Sequence, residues 1–285
     1  MNRHPRIFLL IALLTATVLM TSGCTVVEEI LGSDRPSAGV SGVRFGNLTT
    51  EGAEMLFDVD VKNPYPLPLP LLDAKYSLAS GESPFLDGTA PLEGSVPAGG
   101  TRTVTLPATI NFTKFLNAVK GVRPGQAVPY KADMEVGVDA PALGRLSLPL
   151  SRQGKIPVPA VPDVNVREIH WDKLGLTKAQ GTVALDLGNT NQFAMGLKNL
   201  DYRLQLGGTE IAAGKMAKSL DLEPGESGTL EIPISITPIK LGTAVYNMLK
   251  GGEASYAFSG NVEATTPYAP LNLPLNASGQ TSITK

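Results

Sequence analysis

The sequence predicts an all-β protein made of two similar modules in tandem. Three observations carry that expectation: apolar and polar residues alternate at a period of two in many short runs, Gly and Pro punctuate those runs along the whole chain, and the second half repeats the first at a constant offset.

The alternation is clearest at Phe57 to Lys62, where Phe57, Val59 and Val61 interleave with Asp58, Asp60 and Lys62. Side chains of a strand point to opposite faces in turn, so this run has one apolar and one polar face. Similar runs span 74–79, 102–110, 130–138, 181–187, 201–206, 228–236 and 255–262. The chain has 30 Gly and 23 Pro, and clusters of Gly, Pro and Asp such as VPAGG and EPGESG separate the runs, which is the turn spacing of a sandwich or barrel.

The repeat has an offset of 126 residues, carrying FDVDVKNPYPLPLPLLDAKYSL at Phe57 onto VALDLGNTNQFAMGLKNLDYRL at Val183. The same shift places Thr103 to Ile110 over Thr229 to Ile236 and Tyr130 over Tyr256. Near the end, with one residue of slippage, LPLSRQG at Leu148 lies over LPLNASG at Leu273. Solenoid units repeat at about 20 to 50 residues, so a period this long describes whole folding modules. Between them PVPAVP, Pro157 to Pro162, suits a semi-rigid polyproline spacer of roughly 20 Å.

One helical signal interrupts each copy at the same place. TKFLNAVKG offers Thr113 as an N-cap, apolar Phe115, Leu116 and Val119 on one side, and Gly121 as a stop; IKLGTAVYNMLKG does likewise with Leu241, Val245 and Leu249. A segment so short is expected to bury its stripe against its own module and bridge two sheets.

Before the first module, Arg3 and Arg6 precede a 14-residue apolar stretch from Ile7 to Met20, too short to span a bilayer, and TSGC ends at Cys24. The pattern resembles a bacterial lipoprotein signal with Cys24 as the lipidated residue, although Thr21 stands where an aliphatic residue is usual. Thr25 after the cysteine lacks the Asp linked with inner-membrane retention, so the outer membrane is the favoured location. The expected organisation is a signal peptide over 1–23, a tether over 24–40, a first module over 41–156, the linker over 157–162 and a second module over 163–285.

Composition narrows the function classes. Cleavage before Cys24 leaves 22 basic against 26 acidic residues, a net charge of about −4, with no basic cluster, so nucleic acid is not an expected partner. A single cysteine allows no internal disulfide, and each core must hold by apolar burial.

The stretch DVDVKNPYPLPLPLLDAKYSLASG carries a family resemblance. It resembles the late embryogenesis abundant type 2 domain, also called the water stress and hypersensitive response (WHy) domain, on Asn63, Pro64, Pro66 and Pro68, with Asn189 as the counterpart in the second copy. The resemblance implies a fibronectin-like sandwich, so the expected fold is two tandem immunoglobulin/fibronectin III-like sandwiches, each with one short helix. It also implies a role in tolerating desiccation, and brings no catalytic residues with it. Pro64 biases Asn63 away from helix, and Pro66, Pro68 and Pro70 remove alternate donors, which places the segment at a sheet edge or in an extended crossover. In the second copy Thr190, Gln192, Ala194 and Gly196 replace the prolines, leaving that edge less blunted.

Candidate chemistry is sparse. His170, Trp171 and Asp172 are adjacent, but neighbours in a strand cannot converge without a bulge, and Trp171 is expected in the core. Asp58 and Asp60 share a face without the oxygen-rich loop that calcium needs, so no metal and no cofactor is expected. Nucleophile elbows, P-loops and Cys/His metal spacings are absent from the sequence. The sequence therefore points to a non-enzymatic, lipid-anchored envelope protein whose partners are the membrane and, beyond it, other proteins or lipids. Two alternatives stand beside protection: an apolar-ligand carrier with a slot lined by Leu67, Leu69, Leu71 and Leu116, and a structural spacer.

Overall fold

The computed structural model describes residues 34–141 and 143–285. The signal segment, Cys24 and most of the expected tether lie outside the described residues.

Among the described residues sixteen strands fall into two sets of eight that match in order. The first set is β1 (Ser37–Leu48), β2 (Gly52–Lys62), β3 (Leu69–Ser80), β4 (Ser83–Pro91), β5 (Ser95–Val96), β6 (Thr101–Asn111), β7 (Ala127–Ala140) and β8 (Gly144–Pro157). The second is β9 (Asp163–Leu174), β10 (Ala179–Gly188), β11 (Met195–Leu206), β12 (Thr209–Met216), β13 (Leu220–Leu222), β14 (Ser227–Ile236), β15 (Gly252–Thr265) and β16 (Leu271–Thr284). Strand β1 thus begins inside the segment read as tether.

In the first module β1-β2-β6 form one sheet and β4-β3-β7-β8 the other, with β5 beside the start of β3. The second module has the same two groups, β9-β10-β14 and β12-β11-β15-β16, with β13 beside the start of β11. There, a short parallel pairing of β16 with β9 joins both groups into one eight-stranded sheet. Even the irregularities coincide: β1 bulges at Ser41 and Gly46, and β9 bulges at Arg167 and Asp172, the same positions after the shift.

The alternation decides which faces meet. Met55, Phe57, Val59 and Val61 of β2 and Leu106, Ala108 and Ile110 of β6 turn inward against Ala74 and Leu78 of β3 and Ala132, Met134 and Val136 of β7. The second core repeats this with Val183, Leu185 and Leu187 facing Leu204, Leu206, Phe258 and Val262, and adds Trp171. The interleaved polar residues face water.

Helix α1 (Phe112–Ala118) connects β6 to β7 across the two sheets and buries Phe112 and Phe115. Its N-cap is Asn111, whose Oδ1 accepts the Lys114 N–H at 3.0 Å, rather than Thr113 two residues later. The second copy holds two helical pieces, α2 (Pro238–Leu241) and α3 (Thr243–Met248), because Gly242 at φ 95° breaks the turn between them. Val245 and Leu249 pack into the core as the stripe predicts.

Candidate functional site

The motif that carries the resemblance forms the same buried turn in both modules. Asn63 is 1% exposed; its Nδ2 donates to the carbonyls of Leu67 (2.8 Å), Val96 (3.2 Å) and Pro97 (3.1 Å), and its Oδ1 accepts the Tyr65 N–H at 3.0 Å. Asn189, also 1% exposed, donates to Phe193 (2.9 Å), Leu222 (3.1 Å) and Glu223 (3.2 Å) and accepts the Asn191 N–H at 3.0 Å. Every partner is displaced by 126 residues. A primary amide alone supplies two donors and an acceptor on so short a stem, so each Asn pins the end of its β2 or β10 strand to the last residue of β5 or β13 and the residue after it. The hydrogen-bonding groups of both side chains are occupied by the chain's own backbone.

Pro64, Pro66 and Pro68 lie in the turn ahead of β3, whereas Pro70 is already within it, paired to Ser95 of β5. The segment crosses from β2 in one sheet to β3 in the other, and only from Asp73 on is β3 an interior strand between β4 and β7. Prolines are tolerated because they precede the ladder, or sit where the short β5 alone is the neighbour.

The second copy of this turn meets the first module. Asn191 is 2% exposed and holds the linker in both senses, with its Oδ1 accepting the Ala160 N–H at 2.8 Å and its Nδ2 donating to the Ala160 carbonyl at 3.1 Å. The Gln192 N–H donates to the Gly125 carbonyl at 2.7 Å, and the Gly125 N–H to the Val158 carbonyl at 2.6 Å. Gly125 sits at φ 92°, and a Cβ there would come within 2.9 Å of the Thr190 carbonyl, so the approach needs glycine. Tyr268 completes the junction, edge-on to Phe45 of the first module at 6.0 Å and to Phe193 of its own at 5.4 Å.

This contact explains the missing prolines of the second copy. Gln192 must donate a backbone hydrogen bond that Pro66, its counterpart, could not, and the less blunted end is covered by the other module. The linker likewise packs between the modules, with Val158 only 1% exposed, in place of the spacer that its prolines suggest. Asn191 and Tyr268 are the residues that sequence reasoning passes over; the departure from the proline pattern is the signal that points to Gln192.

The remaining candidates separate. Leu69 and Leu71 are buried in the first core, Leu116 packs against it from α1, and Leu67 stays at the surface, 45% exposed. Asp58 accepts the Thr105 hydroxyl at 2.7 Å and Asp60 that of Thr103 at 2.6 Å, cross-strand pairs on the outer face of β2 and β6. The Thr105 hydrogen bond, followed by that of Arg44, holds the Asp58 carboxyl below the ordinary range. Among the described residues no cluster of His, Cys, Asp or Glu is placed to hold a metal ion. His170 is exposed with Nδ1 3.0 Å from the Thr284 hydroxyl, whereas Trp171 is buried. Its indole N–H is without a partner among the described residues, as is the Thr281 hydroxyl.

Two tandem sandwiches pinned by buried asparagines define an all-β repeat protein, and comparison with known proteins gives the family. The sequence profile described as late embryogenesis abundant protein, type 2, matches residues 58–154 and again 184–279. The chain belongs to this family and carries its domain twice. Among relatives, the desiccation protectant protein Lea14 homolog of Glycine max is 31% identical over 139 residues, covering 49% of this chain and 91% of the relative. Late embryogenesis abundant protein Lea14-A of Gossypium hirsutum is 27% identical over 139 residues, covering 49% and 92%. The solution structure of the late embryogenesis abundant protein At2g46140.1 is 26% identical with a TM-score of 0.38, covering 52% of this chain and 86% of its own.

Proposed function

We propose that this protein is a non-enzymatic protectant of the bacterial cell envelope in water stress, its two modules being of the water stress and hypersensitive response type. It is anchored to the cell envelope, at the outer membrane, through a lipid on Cys24 and acts by stoichiometric contact with other proteins or with the envelope. The observation that carries the protective reading is the family domain present twice, together with the similarity of about half of the chain to a protein described as a desiccation protectant, 91% of which it covers. The buried polar side chains of the motif support the non-enzymatic part, since their hydrogen bonds go to their own backbone.

Two experiments test the two halves of the proposal. Drying an unrelated labile enzyme with increasing amounts of the protein should preserve activity in proportion to the molar ratio, and protection no better than an equal mass of serum albumin would sink the protective role. Labelling cells with a radioactive fatty acid should mark the full chain and leave the Cys24→Ser variant unmarked; equal label in both removes the anchor.

A further inference from the structure

The far end of the second module brings two exposed aliphatic side chains together. Leu174 and Ile236 both pair with Ala179, and Gly252 pairs with Ile283, so the β9–β10 turn, the α2–α3 segment and the start of β15 share one end. The contact with the first module is at the other end, where the linker enters β9 and the Asn191 and Tyr268 turns lie. At the free pole two large aliphatic side chains stand in water: Leu176 is 51% and Ile239 61% exposed. They are adjacent, because the Ile239 N–H donates to the Leu176 carbonyl at 2.9 Å.

Around them Lys173, Lys178, Lys240 and Lys250 are exposed, and among the described residues none of the four is ion-paired with a carboxylate. Lys250 instead lies over the Tyr246 ring at 4.7 Å and donates to Asn247. Asp172 and Glu253 are the acidic residues of the same end, so it is basic although the whole chain is net negative.

The first module has neither of the two aliphatic side chains here. Thr50 and Thr113 stand where Leu176 and Ile239 are, and Asn47 and Gly52 where Lys173 and Lys178 are, while Lys114 matches Lys240 and Lys120 ends the helix as Lys250 does. Folding of the domain therefore does not require an exposed aliphatic pair at this pole. An exposed aliphatic pair ringed by unpaired lysines is complementary to an anionic lipid surface, where the side chains enter the headgroup region and the ammonium groups meet phosphates.

We infer that this pole, led by Leu176 and Ile239, docks on anionic bilayers. The contact is independent of Cys24 and, being at the end remote from β1, brings the second module to a membrane face first. An environment-sensitive fluorophore on Ile239→Cys tests it, in a full chain whose own cysteine is replaced by Cys24→Ser, against the same label on Thr113→Cys. With vesicles of phosphatidylcholine and phosphatidylglycerol in about a three-to-one ratio, the label at position 239 should shift to the blue while that at 113 does not. Pure phosphatidylcholine, about 0.5 M salt or the pair Lys178→Glu and Lys240→Glu should each abolish the shift. Attachment by the N-terminal segment brings both probes to the vesicle alike, so equal shifts at 113 and 239 overturn the proposal, as does no shift at 239. A shift that grows with protein concentration in the absence of vesicles assigns the pole to a second copy of the chain and overturns it too.

Discussion

The two modules share strand order, bulges and asparagine turns, yet one is an open sandwich and the other is zipped along a seam. In the second, Ser282, Ile283 and Thr284 pair in parallel with Glu168, Ile169 and His170. The Thr284 hydroxyl adds a bond to Glu168, and the Tyr256 hydroxyl reaches across to Asn165 at 3.1 Å. In the first, β1 and β8 approach without pairing. Pro157 and Pro159 stand where Ser282 and Thr284 are, and Gly39 where Asn165 is, so two backbone donors and the side-chain acceptor are all missing. A few substitutions at one edge thus decide whether two sheets stay separate or merge, with the rest of the domain unchanged. The open edge has a use: the first module's last strand leads directly into the linker that Asn191 grips.

Four measurements press on that comparison. Trp171 is the chain's one tryptophan and lies in the second core, so its fluorescence reads the second module alone, while circular dichroism reads both. The largest effect is expected where the modules agree. Asn63→Ala and Asn189→Ala each leave buried carbonyls without donors and should cost about 2–4 kcal/mol in denaturant unfolding, with only Asn189→Ala moving the fluorescence transition. Equal movement in both variants would mean that the modules unfold as one.

Next comes the seam itself. Ser282→Pro with Thr284→Pro should reproduce the open form in the second module, lowering its stability by about 2 kcal/mol and accelerating amide exchange along β9. An unchanged exchange pattern would show that the parallel pairing contributes nothing. Smaller still, Tyr256→Phe should cost about 1 kcal/mol through the lost bond to Asn165, whereas Tyr130→Phe, with Gly39 opposite, should be close to neutral.

The smallest effect is one of pH. The Asp73 carboxyl is held below its ordinary value of 3.8, first by the hydrogen bonds from Arg145 and then by its charge. A carboxyl with a depressed folded pKa stabilises fully above the ordinary value, and the contribution disappears as pH falls through the folded one. The counterpart of Asp73 is Asn199, which binds Glu263 with no charge of its own to lose. Acid should therefore loosen the β3–β8 side of the first module, and Arg145→Gln should raise the Asp73 midpoint in a carboxyl NMR titration; no movement would deny the clamp.

How much of this was legible in advance depends on the kind of strand. The eight runs found from alternation correspond to β2, β3, β6, β7 and their repeats, which have one face on the core. Strand β4 is half-exposed on both faces at a sheet edge and has no alternation to find. Strand β1 hides its period behind two bulges, each of which flips the following side chains by one position. The asparagine turns were marked by sequence as a motif, but their partners at Val96 and Leu222 are about 33 residues away and required the fold.

By itself the sequence determined the all-β character, the doubling of the domain and the place of the helical interruption, because each follows from local side-chain order at a period of two or from identity at a fixed offset. Tertiary structure alone decided the zipped seam, the grip of Asn191 on the linker and the exposure of Leu176 beside Ile239. These depend on which distant backbone groups meet, and a hydrogen bond between segments far apart in the chain leaves no periodic trace in either of them.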